Sequence, residues 1–148
     1  MDLEIFLRYV HFLSILLIAG TLVAERVLLK PEMTRAELNK LSQVDLIYGL
    51  AALSLAGAGL TLWLGSIGKP AVFYTNNWIF ITKISLFVVV GLLSIYPTIF
   101  FLKNRKGNAS EVVTIPKIIS GMVTLEIIIL LILPLLAGLM ARGIGYTI

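Results

Sequence analysis

The chain has 148 residues, a single histidine and no cysteine. Five of its ionisable side chains lie inside apolar runs or at their ends: His11, Glu25, Asp45, Lys83 and Glu126. Each residue type brings a definite chemistry. A lone imidazole can be an axial metal ligand or a proton acceptor. A lysine at the same depth can neutralise an anionic group. Carboxyls in an apolar interior can relay protons or hold a cation, because a charge there needs a partner or a wet cavity. The absence of cysteine removes disulfides, thiolate nucleophiles, iron–sulfur clusters and covalently attached haem. One histidine rules out bis-histidine haem ligation and a zinc site built within one chain.

The elements that must position these residues are membrane spans. The composition is 59% hydrophobic and 14% charged, against roughly a quarter charged in soluble domains. Four apolar stretches, at about 5–24, 46–67, 78–102 and 118–141, each reach the ~20 residues that a helix needs to cross a bilayer. Unsatisfied backbone groups are not tolerated in lipid, so these stretches are read as helices. The expected fold is all-α, a transmembrane four-helix bundle forming one domain over residues 1–148. No cleavable leader is apparent, and the first stretch is read as a permanent span. "TRAE" at 34–37 reads as a capping box with Thr34 as cap and Glu37 three residues on. It suggests a short amphipathic helix on the membrane surface between the first two spans.

Loop charges set the expected orientation. Arg26, Lys30, Arg35 and Lys40 lie around the first loop, and Lys103, Arg105, Lys106 and Lys117 around the third; the second has Lys69 and the tail Arg142. Both termini are therefore expected outside an inner (plasma) membrane, with Trp63, Tyr74 and Trp78 in an outer aromatic belt. The net charge of +4 then marks membrane orientation, and nucleic acid is not an expected partner. The lipid bilayer is, together with a second copy or another membrane protein.

Depth separates the polar residues. Lys83 lies about 7–8 Å, and His11 about 9 Å, from the outer boundary at 1.5 Å per residue. A lysine there can snorkel, as can Arg8. Glu126 is about 13 Å from the inner boundary and cannot reach water. It must be protonated, paired or in a wet cavity. Glu25 and Asp45 stand at inner span ends, where pairing with Arg26 or Lys40 at the surface is the expectation and a proton relay the alternative. Glu25 follows His11 by about four turns and shares its face. Asp45 shares a face with Gly49, Ala52, Ala56 and Gly59, a small-residue stripe that suits close helix packing. Ser94 and Thr98 share the face of Lys83, and Pro97 interrupts the backbone bonding between them.

The stretches "VDLIYGLAA", "LLSIYPT" and "LLAGLMARGIG" resemble an uncharacterised bacterial family of four-span membrane proteins. More distantly, the arrangement is similar to HemJ-type protoporphyrinogen oxidase and to copper-resistance D membrane domains. His11, Gly20 and Arg26 match the histidine, glycine and arginine of the HemJ type in order, and Lys83 matches its third-span lysine. The "W-x-x-G" pattern of that type is replaced by "LIAG", and its further loop histidine is missing. The resemblance implies b-type haem or another tetrapyrrole in a redox role, with His11 as axial ligand and Lys83 beside a propionate. Two other readings stand beside it: a small accessory subunit of a larger membrane complex, and an oligomeric proton-coupled transporter using Glu126.

Overall fold

The structure is a computed structural model that describes residues 2–147. Four long helices, α1 (Leu3–Leu28), α2 (Arg35–Leu64), α4 (Trp78–Asn104) and α5 (Lys117–Ala141), are each apolar and long enough to cross a membrane. A short helix α3 (Ala71–Thr75) lies in the second loop, and strands β1 (Glu32–Thr34) and β2 (Val112–Thr114) lie in the first and third. The bundle is a ring in which α1 packs on α2 and α5, and α4 on α5 and α2. The α1–α2 pair is the most intimate.

The core is narrow. Ile18 and Leu22 of α1, Leu38 and Leu41 of α2, Phe101 of α4, and Ile119 and Val123 of α5 are buried. Large apolar side chains such as Leu16, Leu53 and Leu131 are 70% or more exposed. In water such a surface would drive aggregation; lipid tails are as apolar as leucine, so it is the solvent-matched face of a membrane bundle.

The capping box forms: Thr34 Oγ1 accepts from the Glu37 amide at 3.1 Å, and Glu37 accepts from the Thr34 amide at 3.1 Å. The separate surface helix expected after it does not. Helix α2 runs without a break from Arg35 to Leu64. Residues 35–45 contain no Gly or Pro to stop it. Their apolar residues, Leu38 and Leu41, are buried in the same core cluster as Phe101 and Ile119, not turned to a lipid interface. At 1.5 Å per residue α2 is about 45 Å long, well beyond the ~30 Å hydrocarbon core, so one end projects from it.

Each end of the bundle is tied. At one end β1 pairs antiparallel with β2, Glu32 opposite Thr114 and Thr34 opposite Val112. Arg35 clamps the pair, donating to both carboxylate oxygens of Glu111 at 3.1 and 3.0 Å and to the Asn104 carbonyl at 2.7 Å. Lys30 forms an ion pair with Glu37. At the other end the C-terminal tail docks on the start of α4. Buried Asn77 caps α4 by accepting from the Ile79 amide at 2.9 Å and donates to the Ile144 carbonyl at 3.2 Å. The Trp78 amide donates to the Gly145 carbonyl at 3.1 Å. Glu4, which pairs with Arg8 at 2.9 Å, lies against Gly68 of the second loop. The two termini therefore share one end of the bundle. Trp63 and Tyr74 meet Phe80 at this end, with ring centroids 5.0–5.1 Å apart, and Trp78, the third residue of the expected belt, begins α4 there.

Gly145 tests the tail clamp. Its φ is +89°, and a Cβ would sit 2.7 Å from both Asn77 Oδ1 and Ile79 Cγ1. Gly145→Ala should lower stability by about 1–3 kcal/mol, read as an earlier thermal unfolding midpoint in detergent. An unchanged midpoint would show that the tail does not hold α4.

Candidate functional site

One set of polar residues from the four long helices converges at one level, nearer the loop end tied by the strands. Helix α1 brings Glu25 there, at the foot of the stripe His11, Ser14, Ile18, Leu22 and Glu25, which recurs at helical spacing. Helix α2 brings Asp45 and, one turn on, Tyr48. Helix α4 brings Ser94 and Thr98 around Pro97, and α5 brings Glu126. Glu25, Asp45 and Glu126 are only 1%, 5% and 1% exposed.

The contacts run from helix to helix. Tyr48 donates its hydroxyl to Glu126 Oε1 at 2.8 Å, inside the bundle. The Tyr48 hydroxyl also lies against Ser94. The carboxyls of Glu25 and Asp45 lie within interaction range of one another, with Thr98 near Asp45. Glu126 lies within electrostatic range of both acids. Glu25 Oε1 has no hydrogen-bond partner. Pro97 is buried at this level and cannot donate to the Leu93 carbonyl, so this turn of α4 has one more free oxygen. The donor set is all oxygen. Among the described residues no group of three or more His, Cys, Asp or Glu is arranged to hold a metal ion.

This corrects the expectation for Glu25 and Asp45. They do not sit at the surface paired with Arg26 or Lys40. Arg26 turns away and donates to Thr124 of α5 at 2.9 Å. Because α2 starts ten residues before Asp45, that residue is carried inside the bundle, where the inner face of α1 meets it. Tyr48 is the member of the cluster that sequence reasoning misses. Its one signal is its place three residues after Asp45, on the same helical face.

His11 and Lys83 stand apart, toward the end that holds the termini. Both are half-buried, and Lys83 and Arg8 are the cations within electrostatic reach of the imidazole. The ring faces α2, where a Cβ on Gly59 would lie 3.7 Å from His11 Nδ1 and Cε1. It meets glycine there, and Nδ1 is buried without a partner among the described residues. A methyl group added at Gly20 would meet nothing within 4 Å, and Arg26 is at the far end of α1. Of the residues in the HemJ-like pattern, Lys83 is thus near His11, while Gly20 and Arg26 lie further along α1.

The site chemistry makes Tyr48 the residue to test first. Tyr48→Phe removes the donor to a buried carboxyl and should cost about 1–3 kcal/mol. Glu126→Gln keeps an oxygen that accepts from Tyr48 and should cost less. Chemical denaturation in detergent compares the two, and an unaffected Tyr48→Phe would show that the contact does not support the fold.

No curated protein and no solved structure matches the chain. A family model does, over residues 3–145, nearly the whole length. With four apolar helices closing around their own polar residues, the chain belongs to the family described as "Predicted membrane protein (DUF2214)".

Proposed function

We propose that this membrane protein handles protons through Glu25, Asp45 and Glu126. The observation that carries the reading is that three carboxyls from three different helices, Glu25, Asp45 and Glu126, are all buried within the bundle. A buried carboxylate without a cation beside it is costly, and a bound proton removes that cost. Among the described residues no lysine or arginine forms an ion pair with any of the three acids. Three negative charges so close together in lipid would repel strongly, and protons are the smallest charges that relieve this. Tyr48 extends the chain of exchangeable groups from Glu126 toward Ser94. A bundle of four spans provides few walls for a pathway, which favours action as an oligomer or with a membrane partner.

In proteoliposomes holding a pH-sensitive dye, an imposed pH gradient should dissipate faster with this protein than in protein-free vesicles. Glu126→Gln should fold normally and slow the dissipation by about tenfold or more. The reading fails if wild-type vesicles are no leakier than empty ones, or if Glu25→Gln, Asp45→Asn and Glu126→Gln all leave the rate unchanged.

The proposed setting is the inner membrane with both termini outside. The basic first and third loops support it. A reporter at Asn108 should respond from the cytoplasm and one at Ile148 from outside; the reverse pattern overturns it.

A second reading, tetrapyrrole binding at His11, is favoured by the nearby Lys83. Since Nδ1 is closed off by α2 at Gly59, an axial bond would fall to Nε2. Haem bound there would supply redox chemistry, while Lys83 would balance a propionate. Protein purified from haem-replete cells should then show a strong visible band that His11→Ala abolishes; colourless protein ends this reading.

A further inference from the structure

The end of the bundle tied by the strands has a basic concavity of about 870 Å³ between the first turns of α2 and the end of α4. Asn39, Lys40 and Gln43 line it from one face of α2, and Arg35, Arg105 and Lys106 from beside it. No acidic residue lines it. Arg35 is already neutralised by Glu111. The other three cations are not. Arg105 donates only to the neutral Ser42 hydroxyl, at 3.2 Å, and neither Lys40 nor Lys106 has a carboxylate within ion-pair distance among the described residues. Three uncompensated cations and two side-chain amides around one hollow suit a phosphate group, which takes several donors at once.

A second hollow, of about 370 Å³, adjoins the first at Lys40, which lines both. Val27, Leu28 and Met33 form its apolar wall, and the Lys30–Glu37 ion pair lines it beside Lys40. Val27 is 76% exposed and Leu28 43% exposed. Lys40 lies about 9 Å along α2 from Leu46, where the apolar stretch begins, and so stands at headgroup depth. Orienting charge on a loop requires neither a hollow, nor amides, nor an adjoining hollow with an apolar wall. A phospholipid matches all three, because its phosphate is joined to a chain that needs apolar cover. A free phosphate leaves the second hollow unused.

We propose that this end binds an anionic phospholipid, with the phosphate among Lys40, Arg105 and Lys106 and the start of an acyl chain against Val27 and Leu28. The site is separate from the carboxyl cluster and does not depend on the proton reading.

Native mass spectrometry of the detergent-purified full chain tests it, with phosphatidylglycerol, phosphatidylcholine or inorganic phosphate added. Wild type should retain phosphatidylglycerol in preference to phosphatidylcholine, and millimolar inorganic phosphate should not displace it. Each lysine near an anionic headgroup contributes about 1 kcal/mol, so Lys40→Gln with Lys106→Gln should weaken retention roughly 10- to 30-fold. Lys40→Arg with Lys106→Arg should restore it, which separates charge from damage to the fold. A charge-matched control at the other end, Lys69→Gln with Arg142→Gln, should change nothing. Equal retention of the two lipids overturns the proposal. So does an equal loss in the control, which would make the effect one of net charge. Full displacement by inorganic phosphate would make the ligand a free anion and overturn the lipid assignment.

Discussion

The carboxyls of Glu25, Asp45 and Glu126 have no water to turn to, and the rest of the bundle is arranged around that fact. In lipid an unpartnered polar group costs several kcal/mol, so each acid must find oxygen or a proton on a neighbouring helix. Tyr48 donates to Glu126, and Thr98 and Glu25 lie within interaction range of Asp45. This sets the rotation of all four spans at one level. A turn of any one about its axis would swing an acid into acyl chains. Apolar packing alone sets rotation weakly here, because lipid competes with every leucine contact.

The two tied ends set the vertical register that brings those residues level. The strand pair and the Arg35 clamp hold the first and third loops together, so α2 and α5 start from a common platform. At the opposite end, Asn77 joins the start of α4 to the tail after α5. Because α2 begins at Arg35, Asp45 and Tyr48 arrive opposite Glu25 and Glu126; a helix beginning at Leu46 would have left Asp45 in the loop.

The stripe on α1 that joins His11 to the cluster is not a continuous polar wire. Its two ends are about 21 Å apart along the helix. Between them Ser14 bonds the Val10 carbonyl at 2.7 Å, and Thr21 bonds the Leu17 carbonyl at 2.7 Å. Hydroxyls turned onto their own helix have spent their donor. Any exchange between the cluster and the half that holds the termini therefore needs water or helix movement, whereas the cluster lies nearer the loop end. That asymmetry separates His11 and Lys83 from the acids as two local environments.

Sequence alone was sufficient for the four spans, the capping box at Thr34 and the aromatic residues at one end, because these follow from length, composition and local spacing. It was also sufficient for His11 and Lys83 as near neighbours in height, since rise per residue is fixed in a helix. It could not place Glu25 and Asp45. A carboxyl at a span end looks the same whether it meets water or another helix, and the difference lay in where α2 begins and which face of α1 it meets. Only tertiary structure decided that Arg26 would leave Glu25 for Thr124, that His11 would face a glycine, and that Tyr48 would complete the cluster. The physical reason is that local spacing determines height and face along one helix, while the partner across the bundle is chosen by rotation and register, which depend on contacts distant in the chain.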